Sequence, residues 1–347
     1  MPGSRRPHAR WRGAPAAASP HQVGRRAVLA TGGALAAPGV RAQGGAWPQR
    51  SITIIVPAAP GGTLDALARF FAQAMTPALG RTVVVENVGG AGGLIGMQRV
   101  TRADPDGYAI VFGNMGVMAA FVALHPTSGY DPRRDLAPVA MAAYVPMVIA
   151  ASPQSGVRSL AGLLDRIRER GEGVTFGTAG LGTTSHLAPA LLLHLTGLRA
   201  TLVAYRGAGP AMNDLASGTV DAVIDQTVTM IPAHRGGTAV ALAVSGSQRA
   251  PQLPDVPTFA EGGVPAFDLV VWNAFAAPRG TPEPIVQRLA GAVDAALADA
   301  ELQRRLGELA ASAPAREERG PGPLGQRITA DAARWIAVVE AAGLARQ

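Results

Sequence analysis

A strand, a glycine turn and a helix follow one another in residues 52–69, ITIIVPAAPGGTLDALAR, and this order constrains the fold more than any other stretch. The β-branched run at 52–56 predicts a buried strand, which Pro57 and the glycines at 61 and 62 end. Thr63 is expected to cap a helix whose apolar residues recur at helical spacing. Because a glycine turn leaves backbone N–H groups free at the positive end of a helix, the stretch predicts either an anion site or an ordinary α/β connection.

The same order of strand, glycine turn and helix returns along the chain. Strand 82–86 runs into a glycine-rich turn at 89–93 and a helix from Leu94, and strand 108–113 follows. A second series begins after a helix at 160–170. Its strands are predicted at 174–177, 200–204, 220–224 and 239–244, and its helices at 183–196 and 209–217. Strands that alternate with helices predict an α/β class with parallel sheets.

Two apolar strands connect the two series. After a loop at 128–138, strand 144–150 is predicted to cross from the first series to the second, and strand 268–276 is predicted to return. Helices at 284–297, 301–311 and 326–342 then close the chain. The pattern predicts two α/β lobes with a ligand cleft between them. Residues 43–146 with 272–347 form lobe 1 in this interpretation, and residues 147–271 form lobe 2.

The first 42 residues differ from the rest of the chain in charge. They contain seven arginines and no acidic residue, and without them the chain's net charge of +7 becomes 24 basic against 24 acidic residues. The alkaline pI therefore belongs to this segment, and no nucleic-acid partner is expected. Arg25 and Arg26 before the apolar run 27–40 resemble a twin-arginine export signal that is cleaved after Ala42. Since Gly24 precedes the pair, a general secretory route stays open, as does a disordered basic tail.

Several chemistries are excluded by composition. The chain has no cysteine and no lysine, so thiolate catalysis, zinc–thiolate sites, Schiff bases and a P-loop lysine are ruled out. Four histidines follow the leader with no H-E-x-x-H spacing, and no metal or other cofactor is expected. Gly180-Leu181-Gly182 lacks the third glycine of a dinucleotide fingerprint.

Two further glycine turns carry candidate ligand contacts. The stretch 176–186, FGTAGLGTTSH, offers hydroxyl groups and exposed amides before a helix, and 205–210, YRGAGP, offers a second set. Either could line a cleft or be an ordinary connection. Ser185 beside His186 would suit a hydrolase, but adjacent residues on a helix do not face each other. Asp65 is expected to cap its helix, tie down the turn or contact a ligand. Asp221 and Asp225 flank a predicted strand, and they are expected to serve as a hydrogen-bonding wall residue and a turn residue.

Taken together, the motifs resemble a known family. The matching stretches are VPAAPGGTLDALAR (56–69), VENVGGAGGLIG (85–96), ADPDGYAIVFG (103–113), YDPRRDLAPVA (130–140), FGTAGLGTTSHLA (176–188), YRGAGPAMNDLASGTVDAVID (205–225), LPDVPTFAEGG (253–263) and APRGTP (277–282). In this order they resemble the periplasmic solute-binding proteins of tripartite tricarboxylate transporters, the Bug proteins.

The resemblance implies a type II periplasmic binding protein fold whose two lobes close on a small organic carboxylate. It also implies a monomeric, non-enzymatic protein of the periplasm that delivers its ligand to the membrane permease subunits of the transporter. A sensor that presents the acid to a kinase remains an alternative, as does an exported hydrolase that uses Ser185 or Thr183. The ligand contacts implied by the family motifs are Gly61, Gly62, Thr63, Asp65, Thr178, Ala179, Gly180, Thr183, Thr184, Gly207, Ala208 and Asp225.

Three positions depart from the family pattern. Ala58 stands where an aromatic residue is common, which predicts a wider pocket wall. The segment 88–90 is Val-Gly-Gly where a basic residue, proline and glycine are usual, and Asn273 replaces a glycine after the late tryptophan. These departures bear on the identity of the ligand and not on the fold.

Overall fold

The computed structural model describes residues 47–341, and the interpretation of 1–42 as an export signal lies outside the described residues. Nine strands and eleven α-helices make up the regular structure of the described residues. The strands are β1 Ile52–Val56, β2 Val83–Asn87, β3 Ala109–Asn114, β4 Leu136–Ala151, β5 Thr175–Thr178, β6 Thr201–Ala204, β7 Ala222–Gln226, β8 Val240–Val244 and β9 Val270–Pro278. The helices are α1 Thr63–Leu79, α2 Leu94–Thr101, α3 Phe121–Leu124, α4 Pro132–Asp135, α5 Leu160–Arg170, α6 Thr184–Thr196, α7 Ala208–Ser217, α8 Thr227–Arg235, α9 Glu283–Leu297, α10 Ala300–Glu308 and α11 Pro321–Ala341.

The strands run in the order β2-β1-β3-β9-β4-β7-β5-β6, and β8 pairs with β4. As predicted, β1 is parallel to β2 and β3, and β5 is parallel to β6 and β7. The strands β4 and β9 run antiparallel to their neighbours. Residues 136–146 of β4 pair with β9, whereas residues 147–151 pair with β7 and β8. One long strand therefore belongs to both halves of the sheet.

Some predicted elements were misplaced. The strand predicted at 144–150 begins at Leu136, inside the predicted loop, because β9 supplies hydrogen bonds along its whole first part. Helix α8 was missed, since Pro232 lies inside it and obscured the helical pattern. Helix α11 starts at Pro321, before the predicted residue 326, in a stretch whose prolines and glycines suggest a turn. Helix α10 ends at Glu308, near Ala310, whose φ of 53° breaks the helix.

The position of α1 is fixed by aromatic packing. Phe71 from α1 lies 5.5 Å from the ring of Phe275 in β9 and 6.0 Å from that of Phe112 in β3. All three rings are buried. Burial of aromatic side chains contributes much of the free energy of such a core, so α1 is held firmly against the sheet. Its first turn is thereby held at the carboxyl end of β1, beside the site described below.

A buried polar contact holds α11 over the same sheet. The indole Nε1 of Trp272 in β9 donates to Asp331 Oδ2 at 2.6 Å, and Arg327 Nε donates to the same oxygen at 2.9 Å. The charged acceptor strengthens both hydrogen bonds. Among the described residues no helix is long and apolar enough to cross a membrane.

Candidate ligand-binding site

A cavity of about 380 Å³ lies where the carboxyl ends of β1, β2, β5 and β6 meet. Four turns line it, and we number them: the first at 57–63, the second at 88–93, the third at 179–183 and the fourth at 205–207. The remaining lining comes from helix starts, from β3 and β7 and from the segment 114–125. Its volume falls in the range of about 300–1,000 Å³ typical of small-molecule sites.

Four helices begin in the lining of this cavity. The residues at their starts are Thr63 of α1, Leu94 of α2, Thr184 of α6 and Ala208 of α7. None of the N-cap residues of these helices uses a side chain to bind the free N–H groups. Thr63, expected as the cap of α1, is instead its first residue, and Gly62 takes the cap position. Positive helix ends that face one cavity favour an anion there.

Two hydroxyl groups at these helix starts are buried without a partner. Thr63 Oγ1 in α1 and Ser185 Oγ in α6 have no hydrogen-bond partner among the described residues, and both side chains line the cavity. Thr184 has one long contact, since Asn114 Nδ2 donates to its Oγ1 at 3.5 Å. Because buried hydroxyl groups nearly always form hydrogen bonds, a bound molecule or an ordered water in the cavity would satisfy these two.

Nine of the twelve residues expected from the family motifs line the cavity: Gly62, Thr63, Ala179, Gly180, Thr183, Thr184, Gly207, Ala208 and Asp225. Gly61, Asp65 and Thr178 do not. Asp65 Oδ2 accepts the backbone N–H of Gly61 at 3.0 Å, and its Oδ1 accepts Arg69 Nε at 2.9 Å. Burial would raise the pKa of Asp65, but these hydrogen bonds hold it below its usual value. Thr178 is buried, with Oγ1 3.3 Å from His186 Nδ1. As ligand contacts, all twelve stay predictions.

Asp225 is a buried carboxyl group in the cavity wall. Its Oδ1 accepts the backbone N–H of Gln226 at 2.8 Å, and burial raises the pKa of Asp225 to about 6. Behind it, Asn273 Nδ2 donates to Gln226 Oε1 at 3.1 Å, which gives the departure at position 273 a supporting role. An ionised Asp225 would repel a bound anion, whereas a neutral one could donate to it.

Arg206 is a lining residue that the motif analysis did not select. Its exposed side chain forms no ion pair and no hydrogen bond with other residues of 47–341. Its place between Tyr205 and Gly207, in a turn already singled out, was the available signal. Tyr205 donates to Asp214 Oδ2 at 2.5 Å and so holds this turn against α7. Arg206 therefore brings a positive charge to the cavity.

The other lining residues missed by the motif analysis are mostly apolar. They include Leu64, Val117, Phe121 and Leu181, and Ala58 lines the wall where an aromatic residue was expected from the family. His125 also lines this wall, and its ring stacks on Phe121 with centroids 4.4 Å apart. Apolar wall positions carry no motif, so no pattern in the chain indicated them.

The turns on the two sides of the cavity touch each other through glycines. A Cβ atom on Gly92 in the second turn would lie 1.9 Å from the carbonyl oxygen of Leu181 in the third. One on Gly207 in the fourth turn would lie 2.9 Å from Ala59 Cβ in the first. These approaches exclude any larger side chain at the two glycines.

The arrangement offers no activated nucleophile at the pair Ser185 and His186. Ser185 Oγ has no hydrogen-bond partner among the described residues, whereas His186 Nδ1 faces Thr178. Nucleophilic catalysis needs a base within hydrogen-bond reach of the hydroxyl group. In residues 47–341, no three His, Asp or Glu side chains lie close enough to hold a metal ion.

Solved structures define the class of protein. The chain resembles BugD, a periplasmic binding protein, with a TM-score of 0.83 and 35% identity over 87% of this chain and 100% of that one. MatC from Rhodopseudomonas palustris with bound malate gives a TM-score of 0.81 and 38% identity over 84% and 100% of the two chains. A second R. palustris protein, with adipate, gives a TM-score of 0.82 and 35% identity over 87% of this chain and 100% of that one. The fold is thus the type II-like, two-lobed fold of periplasmic binding proteins.

The sequence comparisons place the chain within that class. The model of the tripartite tricarboxylate transporter family receptor matches residues 67–344. A UPF0065 protein in the TAR-I ttuE-ttuC' intergenic region of Agrobacterium vitis is 40% identical over 86% of both chains. BugT from Bordetella pertussis is 36% identical over 72% of this chain and 77% of its own. The chain belongs to the tripartite tricarboxylate transporter family receptors, which are solute-binding proteins, as the motifs led us to expect.

Proposed function

We propose that this protein is a periplasmic receptor that captures a small organic carboxylate and delivers it to the permease subunits of a tripartite tricarboxylate-type transporter. The observation that carries the proposal is the pair of unpartnered hydroxyl groups of Thr63 and Ser185. Both lie in the first turns of helices that begin at the same cavity. A carboxylate is an acceptor with two oxygens, and it would supply the partners that both hydroxyl groups lack.

The strength of such a site follows from its donors. Hydrogen bonds to a charged group contribute about 1.5–3 kcal/mol each, and a helix start adds about 0.3–1 kcal/mol. Two hydroxyl groups and several helix starts, less the cost of ordering the ligand, would give roughly micromolar affinity, near 8 kcal/mol. That affinity permits capture from dilute solution and release to a membrane partner.

The relatives support the ligand class. MatC was solved with bound malate and the second R. palustris protein with adipate, and both share the fold over their whole length. In our proposal, residues 43–146 with 272–347 form one lobe and residues 147–271 the other, and the lobes close as a monomer on the acid. Residues 1–42 direct export to the periplasm and are removed after Ala42. The acid leaves unchanged, because no base among the described residues lies within hydrogen-bond reach of Ser185 Oγ.

Thermal unfolding of the purified chain with a panel of mono-, di-, tricarboxylic and aromatic acids tests binding. A ligand in large excess over its Kd raises the melting temperature, since about 100 Kd adds ~2.7 kcal/mol to the free energy of unfolding. We expect at least one acid to do so. No shift with any acid, in a monodisperse sample, would refute the proposal.

The variant Thr63→Val tests the observation behind the proposal. Valine keeps the shape of threonine but lacks the hydroxyl group, so the variant should bind the selected acid about tenfold more weakly or worse. Without ligand it should be at least as stable as the wild type, because an unpartnered buried hydroxyl group is removed. Thr329→Val, at an exposed position of α11 outside the cavity, is the matched control. Equal affinity in Thr63→Val would place the carboxylate elsewhere.

A further inference from the structure

We propose that His125 selects the ligand by binding a second, neutral polar group, so that the cavity takes an acid with an apolar body that carries a hydroxyl group. The inference deepens the proposed function and rests on it. It starts from one atom: His125 Nε2 is buried, and no described residue forms a hydrogen bond with it. The side chain lines the same cavity as the helix starts.

The surroundings of this nitrogen keep it in a fixed place. The His125 ring stacks on the buried ring of Phe121 at 4.4 Å, with 25° between the ring planes. On the other side, an ideal Cβ atom on Gly182 in the third turn would lie 3.1 Å from Nε2. The imidazole is thus held between α3 and the third turn, and its nitrogen presents a donor or an acceptor according to its tautomer.

The charge of the site decides which chemical group fits. Burial lowers the pKa of His125 and of nearby His186, so the imidazole is neutral at pH 7. A neutral imidazole in a cavity that Phe121, Val117 and Leu181 also line would be a poor partner for a second carboxylate, which would lose its hydration without gaining a counter-charge. A hydroxyl group can either donate to Nε2 or accept from it, and therefore suits this place.

The body of the ligand follows from the rest of the wall. Ala58 and Leu64 complete the apolar surface around the helix starts, and the cavity of about 380 Å³ has room for a ring. An apolar body gains free energy in proportion to the area that it buries. Arg206 is the lining group that would favour a second carboxylate, but its guanidinium is exposed to solvent, where an ion pair contributes little.

Discrimination by a buried polar group is strong, because a ligand without the matching hydroxyl group leaves that polar group without a hydrogen-bond partner. A site built to hydrogen-bond a hydroxyl group rejects the analogue that lacks it far more than an apolar pocket rejects an extra methylene. We therefore expect the wild-type protein to bind one hydroxybenzoate isomer about tenfold or more tighter than benzoate. The isomer with the lowest Kd shows where the hydroxyl group lies relative to the carboxylate.

The experiment measures Kd by calorimetry for benzoate, the three hydroxybenzoates and adipate with the full chain and three variants. His125→Leu should bring the ratio of benzoate to hydroxybenzoate Kd close to one, because the preferred hydroxybenzoate loses its hydrogen bond and binds about tenfold or more weakly. His125→Gln, whose amide reaches to the position of Nε2, should restore the preference. His194→Leu, at an exposed residue of α6, is the matched control and should behave as the wild type.

The outcomes separate this inference from the proposed function. The role of His125 is overturned if the wild-type protein prefers no hydroxybenzoate over benzoate. It is also overturned if the preference survives in His125→Leu. Binding of adipate without binding of any benzoate overturns the apolar body while carboxylate capture stands. If none of these five acids binds while the thermal screen finds another acid, the inference fails and carboxylate capture stands. If the screen finds no acid at all, the proposed function fails, and the inference fails with it.

Discussion

At the scale of single residues, the cavity combines neutral donors with one buried acid. Thr63 and Ser185 bring unpartnered hydroxyl groups, whereas Asp225 is a carboxyl group in the same wall. The hydroxyl groups favour an anionic ligand, whereas an ionised Asp225 would repel it. Protonation of Asp225 removes the repulsion, so the pH of the surroundings should control both the free energy of unfolding and the affinity.

Asp225→Asn should remove the pH dependence of the free energy of unfolding and of the affinity that we expect for the wild-type protein. Because burial raises the pKa of Asp225 to about 6, the folded state binds more protons than the unfolded state between the ordinary value of 3.8 and that pKa. Stability from this group is therefore complete below pH 4 and is lost as pH rises through 6, by at most about 3 kcal/mol. At pH 7.5 the variant should be more stable than the wild type, and its affinity for a carboxylate should no longer fall with pH.

Urea unfolding and calorimetry at pH 5 and pH 7.5 measure both effects. The exposed Asp104→Asn is the matched control, and we expect it to keep the wild-type slope. An Asp225→Asn variant that is destabilised equally at both pH values would show that the carboxylate itself is needed in the folded state, contrary to this account.

At the scale of elements, the glycine turns position four helix starts and let the two sides of the cavity meet. Several of these turns require a residue with left-handed backbone conformation. At only a few of their glycines would an added Cβ atom also clash with a neighbouring atom. Gly92 has both features, with a φ of 63° and an ideal Cβ position 1.9 Å from Leu181 O. The approach of the second and third turns therefore depends on this glycine.

Gly92→Ala should keep the turns apart and weaken ligand binding. The added methyl group cannot fit beside Leu181 O, so we expect the Kd to rise about tenfold or more, from a loss of ~1.4 kcal/mol upwards. Gly129→Ala is the matched control, because its φ of 76° imposes the same backbone strain while no atom lies within 4 Å of the new Cβ. Thermal unfolding reports the strain in both variants. A normal Kd in Gly92→Ala would show that closure does not need this contact.

Sequence periodicity predicted most elements because they alternate regularly and end at glycines. The strand–turn–helix units at β1, β2, β5 and β6 were all expected, and so was their parallel pairing. The full length of β4 was not, since its first part, LAPVAMAA, is rich in alanine and becomes a strand only through pairing with β9. Pairing with a distant strand is a tertiary effect that no local pattern contains.

At the scale of the whole molecule, the long strand β4 joins both halves of the sheet, and the cavity lies between turns that come from distant parts of the chain. The motif resemblance predicted the family and nine residues of the lining, because glycine turns leave a signature in sequence. Arg206, Phe121 and His125 were not selected, since single wall residues carry no pattern. Their roles depend on which turns fold against each other.

Calorimetry with an acid and its primary amide tests whether the helix starts and hydroxyl groups bind a carboxylate. The acid selected by the thermal screen and the corresponding amide have nearly the same shape but differ in charge. We expect the amide to bind at least about 100-fold more weakly, because two charge-assisted hydrogen bonds contribute ~1.5–3 kcal/mol each. Equal affinity for the acid and the amide would contradict the account.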